Sequence, residues 1–249
     1  MNFVSKPAPT VAVREFYSGA TDVSSLALAH DEIHVWHQSF ARSGAELDAF
    51  RSYLSPDELL RAGRFRFDAD RHEYIISRGT LRTLLGRYLQ VAPQDLRIAY
   101  SEFGRPHLIG VAPAAMLDFN VSHSGDLALL AFASGRKIGI DVERMRRNFG
   151  TSEIADRFFS EAERAALREL AHHQRHQAFF RCWTRKEAFI KALGEGLSHP
   201  LDQFDVSLAP GAPAALLATR PDAQEAKRWM LWDIRVPNDY AATLAAESK

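Results

Sequence analysis

Three short apolar runs, 119–123, 127–132 and 138–142, follow one another with only Ser124-Gly125-Asp126 and Ser134-Gly135-Arg136 as the turns between them. Runs of about five or six residues bounded by glycine turns are too short for helices and read as strands. Helical patterning surrounds them. Ser55-Pro56-Asp57-Glu58 carries a helix start, with a capping serine, a proline in the first turn and a glutamate placed to reach back to the cap. Helical spacing continues, with a break near Phe67-Asp68, through Tyr74, Ile75, Leu81, Leu84, Leu85, Tyr88 and Leu89 until Pro93. Ser160-Glu161-Ala162-Glu163 is a second capping box, and the spacing predicts a long helix over 174–193 closed by Gly194. Further short strands are expected at 33–36, 96–100, 204–208 and 229–236. The fold class expected is α+β, in two similar halves: an arm over 1–28 that is weakly ordered, an N-terminal half over 29–125 and a C-terminal half over 126–249.

Charge and cysteine content narrow the function classes. Lys plus Arg and Asp plus Glu number 31 each, so a polyanion must be met by local clustering and not by a bulk field. Cys182 is the single cysteine, which rules out an internal disulfide, and its apolar helical setting (Phe179, Phe180, Trp183) suits a small core residue. Residues 1–10 lack the apolar run of a secretory signal, and no stretch reaches the ~20 apolar residues that span a bilayer. A cytoplasmic protein without membrane or nucleic-acid partners is the expectation.

Four constellations could carry chemistry. In Ile138-Gly139-Ile140-Asp141-Val142-Glu143 alternate residues share a face, so Asp141 and Glu143 project together while Ile140 and Val142 turn to the core. Two adjacent carboxylates repel unless a cation lies between them, and Mg²⁺ takes hard oxygen ligands of this kind; a solvated strand end with two free acids is the plain alternative. On the long helix Trp183, Glu187 and Lys191 are four residues apart and form one stripe, either an ordinary exposed Glu–Lys pair or an acid and a cation for a phosphate site. Phe119-Asn120-Val121-Ser122-His123-Ser124 ends a strand with hydroxyl, imidazole and backbone amides at one turn, which suits an anion. Finally, Arg61, Arg64, Arg66, Arg71, Arg78, Arg82 and Arg87 crowd one segment, and arginine is the residue suited to bidentate phosphate contacts, although a solvated basic helix face would look the same. Two histidine pairs, His30/His34 and His172/His176, have a spacing compatible with metal ligation but no third ligand in a convincing pattern.

Taken in order, Gly104-Arg105-Pro106, 119–124, 138–143, Phe158-Phe159-Ser160, Trp183-x-x-Lys186-Glu187-x-x-x-Lys191 and Gly194-x-Gly196-Leu197 resemble the phosphopantetheinyl transferase superfamily, over roughly residues 55–208. The length points to its surfactin-synthetase-activating type and not to the short trimeric type. The resemblance implies a doubled fold with pseudo-twofold symmetry, an active site between the halves, and a monomer. It implies transfer of the phosphopantetheine arm of coenzyme A to a serine of an apo acyl or peptidyl carrier protein, from fatty-acid, polyketide or peptide synthesis, with release of adenosine 3′,5′-bisphosphate. By the same resemblance Asp141, Glu143 and Glu187 are the Mg²⁺ ligands, Glu187 also a base, and Lys191 the cation on the departing phosphate. Arg61, Arg64, Arg78, Arg105, Pro106, Ser122, His123 and Lys186 are the coenzyme A contacts, with Arg105 standing where the family has Lys. Glu58 stands where some members have Lys, and apolar residues over 149–159 are the expected docking surface for the carrier. A Mg²⁺-dependent nuclease and a non-catalytic coenzyme A-binding protein are the rival readings.

Overall fold

The computed structural model describes residues 8–16, 26–40, 44–110, 117–146 and 150–248, without the side chain of Leu197. Phe149, at the start of the expected docking surface, lies outside the described residues. The first half runs β2 (Glu32–Ser39), α1 (Gly44–Tyr53), α2 (Pro56–Ala62), α3 (Asp68–Leu89), β3 (Ile98–Tyr100), β4 (Pro106–Leu108), β5 (Leu117–Ser124) and β6 (Leu127–Ser134). The second repeats that order with β7 (Ile138–Arg144), α4 (Thr151–Phe158), α5 (Glu161–Glu169), α6 (His172–Leu193), β8 (Phe204–Val206), β9 (Leu216–Thr219), β10 (Trp229–Asp233) and β11 (Tyr240–Glu247). In each unit the last strand lies in the middle of its sheet. β6 is antiparallel to both β2 and β5, and β11 is antiparallel to both β7 and β10. The third helix is 22 residues long in both. The fold is therefore α+β and doubled. β5 and β6 pair as a tight hairpin around 125/126, and the repeated order of elements begins again at β7, Ile138.

The local signals are realised in detail. Both capping boxes are closed, with Ser55 accepting from Glu58 N–H at 3.3 Å and Ser160 from Glu163 N–H at 3.2 Å, each glutamate reaching back to the cap amide. Gly194 ends α6 at φ +82°, a left-handed position that favours glycine. Within the expected arm, β1 (Thr10–Glu15) runs parallel to β2, Val11 opposite Ile33 and Val13 opposite Val35. A strand there pairs the outer edge of β2, whose amides and carbonyls would otherwise be unpartnered.

Apolar side chains form three layers. Ile33, Val35, Leu129 and Ala131 of the first sheet meet Ile138, Ile140, Val142 and Leu244 of the second in a central core. α3 covers the outer face of the first sheet through Leu81, Leu84 and Leu85 against Phe119 and Phe132, and α6 covers the second through Phe179, Phe180 and Ile190. Cys182 is completely buried in that last layer, and burial raises its thiol pKa well above the ordinary value.

The seam between the halves is made by side chains. β7 pairs with β11 on one edge, and its other edge faces β5 without a backbone ladder. Buried amides need acceptors, and alternate residues of β5 provide them. Asp118 Oδ2 accepts from Ile138 N–H (3.0 Å), Asn120 Oδ1 from Ile140 N–H (2.9 Å), Ser122 Oγ from Val142 N–H (3.2 Å) and Ser124 Oγ from Arg144 N–H (3.1 Å). On its α6 side β7 carries Gly139, and a Cβ there would collide with Ala188 O and Ala192 N and stand 3.0 Å from Ala192 Cα. The missing side chain lets the α6 backbone lie directly on the strand, one step from Asp141.

Candidate active site

Pleating turns Ile138, Ile140 and Val142 into the central core and leaves Gly139, Asp141 and Glu143 facing α6. From α6, Glu187 and Lys191 face back. Lys191 Nζ donates to Asp141 Oδ1 at 2.6 Å and to Ser122 Oγ at 3.1 Å, while Ser122 Oγ donates to the same Asp141 oxygen at 2.9 Å. Ser124 Oγ donates to Glu143 Oε2 at 2.8 Å. Lys191 thus pairs with Asp141 of its own half and reaches across the seam to Ser122, partners that the helix-surface reading of Glu187 and Lys191 did not include.

The three carboxylates feel one another. Burial, then the charge of Asp141, pushes Glu187 up to about 7, with Glu143 adding to the rise and Lys191 opposing it. Burial also raises Glu143, Asp141 pushing the same way against the Ser124 hydrogen bond and the Lys191 charge. Asp141 is 3% exposed, and its Oδ2 is buried without a hydrogen-bond partner. Among the described residues no group of three or more His, Cys, Asp or Glu lies together as a metal site; here the Lys191 ammonium sits against Asp141.

A second centre lies in the first half. Arg61 and Arg64 line a cavity of about 560 Å³ together with Asp57, Glu58, Leu60, Phe65, Tyr74 and Tyr100. The Arg78 guanidinium lies over both Tyr74 (5.7 Å) and Tyr100 (5.3 Å), and that of Arg61 over Tyr74 (5.5 Å). Three cations around two phenol rings suit a phosphate attached to a flat ring system. Pro106, the first residue of β4, stands opposite Tyr100 in the β3–β4 pair and so braces this pocket. His123, at the exposed end of β5, points to the face opposite Ser122 and Ser124, its ring 6.3 Å from Phe40.

Two residues expected to contact coenzyme A are engaged by protein groups. Lys186 is completely buried, with Nζ donating to Leu201 O (2.6 Å) and Phe204 O (2.7 Å) and paired with Glu163 Oε2 (2.8 Å). An ammonium has three donors, all three are engaged, and the residue anchors α6 to α5 and β8. Arg105 is likewise committed to protein. It donates to Lys191 O (2.6 Å) and Ala192 O (3.1 Å) at the α6 C-terminus, to both oxygens of Asp118 (2.8 Å each) and to Ile138 O (3.0 Å). Carbonyls left over at a helix end favour a cation, and this one ties α6, β5 and β7 together. Glu58 is also structural, buried against Arg82 at 2.7 Å. His34 sits on a strand, fully buried and hydrogen-bonded to Tyr88 Oη at 2.7 Å, which disposes of a helical histidine pair there. Ser124 was not singled out from the sequence, although the alternation Asp118-Asn120-Ser122-Ser124 carried the signal.

Fold and site together define a doubled α+β enzyme core with an acidic centre at the seam of its halves. A model of the 4′-phosphopantetheinyl transferase superfamily matches residues 137–245, and a model of the 4′-phosphopantetheinyl transferase N-terminal region matches 38–135. Those bounds meet where the repeat changes over. The chain is 38% identical to the 4′-phosphopantetheinyl transferase HetI of Nostoc sp. over 222 residues, covering 89% of this chain and 90% of that protein. It is 36% identical to the 4′-phosphopantetheinyl transferase Sfp of Bacillus subtilis over 166 residues, 67% of this chain and 71% of that one. A solved holo-(acyl-carrier-protein) synthase from Bacillus anthracis shares 20% identity, with a TM-score of 0.37, over 45% of this chain and 96% of its own. The chain belongs to the 4′-phosphopantetheinyl transferase superfamily. Among the described residues no helix is long and apolar enough to cross a membrane.

Proposed function

We propose that the chain transfers the phosphopantetheine arm of coenzyme A to a serine of an apo acyl or peptidyl carrier protein, with Mg²⁺. The observation that carries this reading is the contact of Lys191 with Asp141 at the seam, with Glu143 on the same strand face and Glu187 near enough for its carboxyl to feel the charge of both acids, in a chain that also holds a pocket of arginines and tyrosines. The relatives named phosphopantetheinyl transferases support the same chemistry. The donor set fits Mg²⁺: hard carboxylate oxygens, mutual repulsion that a divalent cation relieves, and a buried Asp141 Oδ2 that lacks a partner. Asp141, Glu143 and Glu187 would hold it, and when bound it would supply charge neutralisation for the pyrophosphate.

The protein's own groups do the rest. Arg61, Arg64, Arg78 and His123 are the groups for the ribose phosphate. The carrier serine oxygen bonds to the phosphorus next to pantetheine, the bond from that phosphorus to the bridging oxygen breaks, and adenosine 3′,5′-bisphosphate leaves. Glu187, on the α6 face that carries Lys191, takes the serine proton. Lys191 faces the departing phosphate. Such a transfer depends mainly on alignment and charge stabilisation.

The test is to incubate the protein with coenzyme A, Mg²⁺ and an apo-carrier and then weigh the carrier. A gain of one phosphopantetheine, lost on chelation of the metal, is expected; an unchanged carrier mass sinks the proposal. His123→Ala should raise the KM for coenzyme A about tenfold with kcat little changed, since one hydrogen bond to a charged group contributes ~1.5 kcal/mol. An unchanged KM removes His123 from the binding site.

A further inference from the structure

Ser122 and Ser124 repeat one arrangement two residues apart on β5. A hydroxyl has one proton and two lone pairs. In each serine a lone pair is taken by the backbone amide following a carboxylate, Val142 for Ser122 and Arg144 for Ser124. The proton is thereby aimed at the carboxylate itself, Asp141 Oδ1 at 2.9 Å and Glu143 Oε2 at 2.8 Å. Both serines are at most 9% exposed. The consequence is the same at both acids: one oxygen is tethered and the other is left without a protein donor. Asp141 Oδ2 is buried and unpartnered, and among the described residues none donates to Glu143 Oε1.

A glutamate has three rotatable bonds, so a ligand of this kind must be held before it binds. Asp141 is held twice, by Ser122 and by Lys191. For Glu143 the tether from Ser124 is the one side-chain hydrogen bond the described residues supply. We propose that Ser124 is a positioning residue, which fixes Glu143 through Oε2 so that Oε1 is presented to a divalent cation shared with Asp141. The inference rests on the reading of Asp141, Glu143 and Glu187 as the ligands of that cation. Because the Ser124 oxygen also accepts the Arg144 amide, the hydrogen-bonded seam between the halves sets the direction of the ligand.

Binding of Mn²⁺ to the full chain, followed by electron paramagnetic resonance of the free ion, tests this without any turnover. Ser124→Ala should weaken Mn²⁺ binding about tenfold or more, the usual scale for losing a group that orients a ligand. Ser124→Thr, which keeps the hydroxyl, should bind within about threefold of wild type, a rescue that a purely structural role at a tight seam would not give to the larger side chain. Should the alanine variant fail to fold, Ser124→Cys carries the test, because its thiol is nearly as small but a weak donor; loss of affinity is expected there too. Glu143→Gln serves as the control. If it weakens binding while Ser124→Ala and Ser124→Cys do not, the positioning role is overturned and the ligand assignment stands. If Glu143→Gln also binds Mn²⁺ as wild type does, the ligand assignment itself falls.

Discussion

Glu187→Gln should slow carrier loading about 10²–10⁴-fold, the range associated with removing a positioned acid–base group, and leave the melting temperature unchanged or higher. Both halves of that result follow from the environment of the side chain. Burial and the charge of Asp141 raise Glu187 to about 7, so its ionised form is held at an energetic disadvantage in the fold. A neutral amide of the same shape removes that disadvantage. Asp141→Asn should be equally damaging to loading but, unlike Glu187→Gln, should also destabilise the protein. Asp141 accepts the 2.6 Å contact from a half-buried Lys191, and the amide leaves that ammonium without its ion partner. A structural role for both acids would predict the opposite, activity falling only as far as stability does. Loading by Glu187→Gln near the wild-type rate, at matched folded fraction, would remove this residue from the chemistry.

Local patterns in the sequence carried much of the site. The period of two over 138–143 gave the direction of Asp141 and Glu143, and the period of four over 183–191 gave the facing stripe of Glu187 and Lys191. That same helical period argues against Lys186, which lies about 100° around the helix from Glu187 and so turns away into the layer beneath; there the motif outweighed the geometry. Arg105 was unreadable for a different reason. Its acceptors on α6 are 86 and 87 residues away, and nothing near Gly104-Arg105-Pro106 announces a helix end waiting for a cation. Glu58 and Arg82, 24 residues apart, likewise find each other only when α2 packs on α3. The seam was half legible: Asp118, Asn120, Ser122 and Ser124 alternate in plain sight, but a strand with polar residues on one face ordinarily means a solvated face. Only the position of β7 shows that these side chains take the place of a neighbouring backbone.

The tightest demand that function makes on packing is at Gly139. Gly139→Ala adds one methyl group, in a strand conformation that alanine adopts readily, so any cost comes from space alone. The new Cβ would meet Ala188 O, Ala192 N and, at 3.0 Å, Ala192 Cα, all atoms of the α6 backbone that no side-chain rotation can clear. The helix must withdraw from the strand, and overpacking of this kind costs about 1–3 kcal/mol, a loss that calorimetry or denaturant titration would detect. Lys191 and Glu187 move with the helix, while Asp141 and Glu143 stay with the strand and its serine tethers. A misplacement of ~1 Å between groups that must act together can lower a rate about 10²-fold, so loading should fall by roughly that factor in protein that is still folded. Substituting Gly79, whose Cβ would press on the Phe50 side chain beside α3, tests the specificity of the argument: it should cost stability in the first half without separating the acids from the lysine. If Gly139→Ala loads carrier as fast as Gly79→Ala at equal folded fraction, the close approach of α6 to β7 is not what aligns the site.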